Sequence, residues 1–289
     1  MKTVDIIYRY EARDTPARPL PPDSDAAFQR LNDGNRAFAA LLEKLSDESA
    51  VVQRIIPVDP RDLGLLSSTT GIPKQRPFAV VLGCSDARVP VELIFGEGPN
   101  DLFVIRVAGN GLGTEVLGSL KFAVDHLGES LKLIVVLGHS GCGAITAAVD
   151  IFLNPTNYLP LATRHSLRNI LDALLVAIDA TARKLQVTFG SNVTRHPGYR
   201  DALIEASIIT NAALGAHSIQ QDFGSENKLG LRAVYGVYLL ETREVWTAGL
   251  GTINGDGLAA APQDVSGFVE LGDAIVRSTR ITSLIKTRE

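Results

Sequence analysis

The chain has 289 residues, 45% hydrophobic and 21% charged, with a formal net charge of −4. This is the composition of a soluble globular protein large enough for one substantial α/β domain. Such a charge lacks the basic excess on which nucleic-acid binding rests and gives no support to a membrane-surface partner. No run approaches the ~20 apolar residues that span a bilayer, and the opening Met1-Lys2-Thr3-Val4-Asp5 has no apolar signal core, so a cytoplasmic protein is expected. Two cysteines cannot form a disulfide framework in a chain this long. In a reducing compartment they point to metal binding or catalysis.

Residues 1–27 carry Pro16, Pro19, Pro21 and Pro22 among charges, which predicts an extended N-terminal arm. Residues 28–289 are read as one domain with inserts near 46–72 and 154–200. Over 25–45, Phe28, Leu31, Phe38, Leu41, Leu42 and Leu45 recur at helical spacing, interrupted at Asp33-Gly34-Asn35, which predicts a kinked helix or two short ones. Residues 46–76 show no sustained period and read as an irregular connection. The continuous apolar runs Phe78-Ala79-Val80-Val81-Leu82, Leu102-Phe103-Val104-Ile105 and 131–137 predict parallel strands covered on both faces. The helical period of Val116, Leu117, Leu120, Ala123, Val124 and Leu127 supplies a crossover. Helices are predicted over 165–185 and 199–223, a hairpin over 231–247, and a helical tail from residue 263. The fold class is α/β, a mixed sheet with a parallel core flanked by helices.

Cys84 directly follows the first run in Gly83-Cys84-Ser85-Asp86-Ala87-Arg88. His139 and Cys142 follow the third in Gly138-His139-Ser140-Gly141-Cys142-Gly143. Both therefore lie at the carboxyl edge of a parallel sheet, where ligands collect. Two thiolates and an imidazole suit one Zn2+ per chain, and a Cys2His set leaves a fourth position for water or Asp86, as in catalytic centres. Asp86 and Arg88 stand where a turn presents both beside the metal, so a bidentate guanidinium would keep the carboxylate ionised. His126, His165, His196 and His217 lie in helical or irregular polar stretches and read as surface or satisfied residues. The hydrolase elbow G-x-S-x-G fails at Cys142, and Thr114 breaks G-x-G-x-x-G after Gly109-Asn110-Gly111.

At Cys84, Asp86 and Arg88, with His139 and Cys142, the sequence resembles the β-class carbonic anhydrases, whose signature joins C-x-D-x-R to H-x-x-C. The resemblance extends through Gln75-Arg76-Pro77, Phe103-Val104-Ile105-Arg106, Ala108-Gly109-Asn110, Gly118-Ser119-Leu120-Lys121 and Leu31-Asn32-Asp33-Gly34-Asn35, covering about 28–43 and 73–250. It implies an extended, swapped amino-terminal helical arm and an obligate homodimer or dimer of dimers. It also implies substrate-binding roles for Gln75, across the dimer interface, and for the Gly143 N–H. Val81 stands where the bicarbonate-regulated bacterial subgroup has tryptophan, so that regulatory site is not implied.

The expected reaction is zinc-dependent reversible hydration of CO2 to bicarbonate and a proton. Zinc lowers the pKa of its bound water toward ~7, so that hydroxide can attack carbon. Asp86 would orient the nucleophile and Arg88 hold Asp86. Freed, Asp86 would itself ligate zinc and close the site in an inactive state. Two alternatives use the same ligands: hydrolysis of carbonyl sulfide or carbon disulfide, and a noncatalytic zinc-stabilised assembly.

Overall fold

The computed structural model describes residues 3–12, 18–41, 51–65, 71–163, 165–224, 230–249 and 257–286. Its frame is a six-stranded sheet. β3 (Ala79–Gly83), β4 (Leu102–Arg106), β5 (Leu133–His139) and β6 (Arg232–Tyr238) run parallel in the order β4-β3-β5-β6. β7 (Val245–Trp246) and β8 (Ala259–Ala260) pair antiparallel to β6. Successive side chains of a strand point to opposite faces, and in the central strands β3 and β5 both faces are buried, which is why they read as unbroken apolar runs. Val80, Leu82, Ile134 and Val136 face one core cluster, and Val81, Leu133, Val135 and Leu137 the other.

The first face is covered by α4 (Gly143–Leu153), α6 (His165–Phe189), α7 (Tyr199–Gly224), α8 (Val265–Arg277) and α9 (Thr279–Lys286), with α3 (Thr114–Leu127) beside the β4 edge. The short α5 (Tyr158–Ala162) precedes α6. The second face is covered by α1 (Ser24–Ala39) and α2 (Val91–Phe95), whose Ala27, Leu31, Ile94 and Phe95 are fully buried. By length and composition α7 is long and apolar enough to cross a bilayer. It is instead the core helix, with Leu203, Ile208, Ile209 and Ile219 packed inside.

Three local readings change. The helix over 25–39 does not break at Asp33-Gly34-Asn35. α1 runs through, because Gly34 lets the Phe95 carbonyl approach so closely that a Cβ would sit 1.8 Å from its oxygen. Asn32 and Asn35 turn their amides onto distant backbone. Asn32 Oδ1 accepts from Leu258 N–H at 2.8 Å and Asn35 Oδ1 from Val245 N–H at 2.8 Å. Tertiary contacts here override helix propensity. Leu42 and Leu45 lie outside the described residues.

The N-terminal arm does not open as unpaired chain. β1 (Thr3–Tyr10) pairs in parallel with β2 (Val51–Val58), from Thr3 opposite Val51 to Tyr10 opposite Val58. β2, followed by a 3-10 turn over Pro60–Leu63, also replaces part of the irregular connection read over 46–76. Pro16 lies outside the described residues, but Arg18 beyond it is fixed. It donates to Gly96 O at 2.8 Å and to Glu97 Oε1 at 2.9 Å, and Arg30 grips both oxygens of the same buried carboxylate. α1 itself lies on its own chain's sheet rather than projecting from it.

Candidate metal centre

β3 and β5 are adjacent central strands, with Gly83 opposite Leu137, so the residues that leave their carboxyl ends are brought together by backbone pairing alone. Cys84 begins the turn after β3. Arg106, at the end of β4, fixes that turn by donating Nε to Cys84 O at 3.0 Å and Nη2 to Asp86 O at 2.5 Å. His139 closes β5. Gly141, at φ 63°, then takes a left-handed conformation that suits glycine, and Cys142 caps α4.

Cys84, His139 and Cys142 are all buried, and their donor atoms lie within 4.8 Å of one another. The two sulfurs are 4.0 Å apart. Two Zn–S bonds of ~2.3 Å at a tetrahedral angle would separate sulfurs by about 3.8 Å, so the pair fits one ion. His139 Nδ1 lies 3.0 Å from the Ser140 carbonyl, which assigns the proton to Nδ1 and leaves the Nε2 lone pair facing the sulfurs. Nε2 is fully buried with no protein partner. An orphaned buried acceptor is costly unless a ligand satisfies it, and a metal held with the two sulfurs would do so.

The surroundings favour thiolate. The Cys142 thiol and the Gly109 N–H, the latter at 3.3 Å from Sγ, outweigh burial and hold the Cys84 thiol down to about 4, while the neighbouring Cys84 sulfur and burial push the Cys142 thiol up, so Cys142 carries the proton of the metal-free pair. The first-turn N–H groups of α4, from Ala144 and Ile145, point at the Cys142 sulfur. Arg88 grips Asp86 on both oxygens, Nε to Oδ1 at 3.0 Å and Nη2 to Oδ2 at 2.7 Å, while its own backbone N–H adds a bond to Oδ1 at 2.9 Å. That guanidinium holds the Asp86 carboxyl well below the usual carboxylate range. Oδ2 stands 3.9 Å from His139 Nε2, at the border of the metal position.

The family model for carbonic anhydrase matches residues 79–241, a span that begins with β3, ends after β6 and contains all three donors. The chain belongs to the β-carbonic anhydrase family. Carbonic anhydrase 2 of Mycobacterium tuberculosis is 41% identical over 124 residues, and the carbonic anhydrase of Mycolicibacterium smegmatis 40% over 125. Each match covers 43% of this chain and 52% of the relative. The chain thus spans about half the length of the curated relatives it matches. The solved β-carbonic anhydrase CcaA is 26% identical with a TM-score of 0.47, covering 65% of this chain and 85% of that one. The Coccomyxa β-carbonic anhydrase solved with acetazolamide is 23% identical with a TM-score of 0.46, covering 59% and 71%. Zinc is the family's metal, and this donor set fits it.

The remaining sequence candidates fall as follows. Gly143 opens α4 on the exposed side of Cys142, with open space where a Cβ would stand. Gln75 lies exposed in the segment before β3. Ser140 is no nucleophile: its Oγ donates to Glu241 at 2.7 Å and accepts from Leu240 N–H at 2.9 Å. The glycine-rich turn after β4 is tight, with Gly109 at φ 70°. Its N–H serves the Cys84 sulfur and its carbonyl accepts from Asn211 Nδ2 at 3.0 Å. His126 stacks on Phe122, His196 Nδ1 accepts from Gly198 N–H, and His217 bonds the Pro262 carbonyl. The His165 side chain lies outside the described residues. Sequence reasoning missed the bracing by Arg106 and Asn211, by Glu241 on Ser140, and by Glu205, which accepts from Gly141 N–H at 3.3 Å and is itself gripped by Arg280. Arg106 stood in a quoted family-like segment, Asn211, Glu205 and Glu241 lay within the wider resemblance without any motif to mark them, and Arg280 lay outside it.

Proposed function

We propose that the chain catalyses the reversible hydration of CO2 to bicarbonate and a proton. The observation that carries this reading is the pairing of an open Cys2His donor set with an ionised, guanidinium-held carboxylate at its border, which a purely structural metal site would not need. Zinc, when bound by Cys84, His139 and Cys142, supplies Lewis-acid chemistry that makes a water nucleophilic near neutral pH.

The chain's own groups do the rest. Asp86 accepts a hydrogen bond from the attacking water and turns its lone pair toward carbon. Arg88, holding both carboxylate oxygens, keeps Asp86 charged and off the metal position. The Gly143 N–H, at the start of α4, donates to an oxygen of bicarbonate. Gln75 is exposed within its own chain, as a residue that serves a partner's site would be. We assign it to bicarbonate binding across a dimer interface.

The test is stopped-flow hydration of CO2 at pH 8.5 by zinc-loaded protein, beside Cys84→Ala. Fast hydration that the cysteine variant loses is the expected result. A protein that holds one zinc per chain yet leaves CO2 untouched would refute the assignment, and sulfide release from carbonyl sulfide would be measured next.

A further inference from the structure

The two residues between the ligands His139 and Cys142 are each held from outside by a carboxylate. Glu241, in the turn between β6 and β7, accepts from Ser140 Oγ at 2.7 Å, and Glu205, on α7, accepts from Gly141 N–H at 3.3 Å. Ser140 matters doubly, since its carbonyl faces His139 Nδ1 and fixes which imidazole nitrogen faces the sulfurs. Two carboxylates flanking one short turn repel each other unless a cation stands between them.

That cation comes from the far end of the chain. Arg280, in the first turn of α9, donates Nε and Nη2 to Glu205 Oε2 at 2.8 and 2.6 Å, and Nη1 to Glu241 Oε1 at 2.5 Å. α9 is anchored for this reach, with Ile281 fully buried and Ile285 nearly so in the main core. Arg280 and Glu205 form the wall, next to Gly141, of a cleft of about 870 Å³ between α7 and α9 that stops short of the donor atoms.

We infer that Arg280 is a positioning residue for the metal centre: by bridging Glu205 and Glu241 it sets the His139–Cys142 turn, and with it the imidazole. The inference rests on the reading of Cys84, His139 and Cys142 as a zinc site. It gives the C-terminal helix, which lies outside the family-matched span, a task in the chemistry. Partners that orient a ligand typically contribute 10–100-fold in metal affinity. Arg280 acts through Glu205 and Glu241, so the lower end applies.

The experiment measures zinc affinity by competition with a chelating dye, and the visible absorption of the cobalt-substituted protein, for wild type, Arg280→Met, Arg280→Lys and Arg277→Met. Arg277 is exposed on α8 and serves as the charge control. Expected are about ten-fold weaker zinc binding and a shifted cobalt spectrum for Arg280→Met, with the metal-free protein melting below Arg277→Met because two carboxylates lose the cation between them. Arg280→Lys, which keeps the charge but loses the planar fork that grips Glu205 through two N–H groups while reaching Glu241, should fall in between, and it decides the question by the same criterion if the Met variant does not fold. Wild-type affinity and spectrum in the Arg280 variants, or an equal loss in Arg277→Met, would overturn the inference. A wild-type chain that binds no zinc would instead overturn the site reading beneath it.

Discussion

Replacing Gly109 by alanine links a single backbone angle to the metal centre. Gly109 sits at φ 70°, where an L side chain costs ~1–2 kcal/mol. The new Cβ would meet Leu174 Cδ1 at 3.0 Å and Ala144 Cβ at 3.2 Å. Leu174 is fully buried, so relief must come from core packing, at about 1 kcal/mol. Against this, alanine restricts the unfolded chain and returns ~0.4–1 kcal/mol. The net loss is about 2 kcal/mol, read as a lower urea midpoint of the metal-free protein by circular dichroism and by fluorescence of Trp246, the chain's one tryptophan. The same shift moves the N–H that donates to Cys84 Sγ, so zinc affinity should fall about ten-fold. An unchanged midpoint would refute the backbone argument. A lowered midpoint with undiminished zinc affinity would refute the role given to that N–H.

Gly34→Ala should also destabilise, by about 2 kcal/mol in urea unfolding. Overpacking against the Phe95 carbonyl outweighs the ~1 kcal/mol that alanine gains inside a helix, and a more stable variant would show that α1 can shift freely. Arg88→Met addresses pH. Asp86 is depressed in the folded chain, so its pairing stabilises fully above the ordinary carboxylate range and loses its effect as pH falls through that range toward the depressed value. The stability gap between wild type and Arg88→Met, followed as melting temperature of the metal-free proteins, should be steady above about pH 5 and close on acidification. A gap that widens in acid would contradict the pairing.

The sheet and the donors were legible because each was written locally. Strands buried on both faces must be apolar at every position, as in Val80 to Leu82 and Leu133 to Leu137, and ligands collect where such strands end. What sequence reasoning missed depends on partners far along the chain. β1 is a charged, polar-spaced strand that finds its partner only at Val51. Asp33-Gly34-Asn35 carries break-prone residues whose true reasons are the Phe95 carbonyl and the Val245 N–H. Arg280 is one arginine among many until α7 and the β6–β7 turn bring Glu205 and Glu241 to it.

The buried amides of α1 carry a lesson about where this protein can be cut. Asn32 and Asn35 bond backbone more than 200 positions away, at Leu258 and Val245, so segments near the two ends of the chain close over one face of the sheet. The family-matched span, 79–241, contains neither α1 nor those two partners. A fragment trimmed to that span would keep every donor atom yet bare the apolar surface of Val81, Val135 and Val234 that Ala27, Leu31 and Leu258 cover. Expression boundaries drawn from family similarity would therefore yield a sticky, aggregation-prone piece, and those drawn from about residue 3 to 286, which also keep β1 on β2, would not.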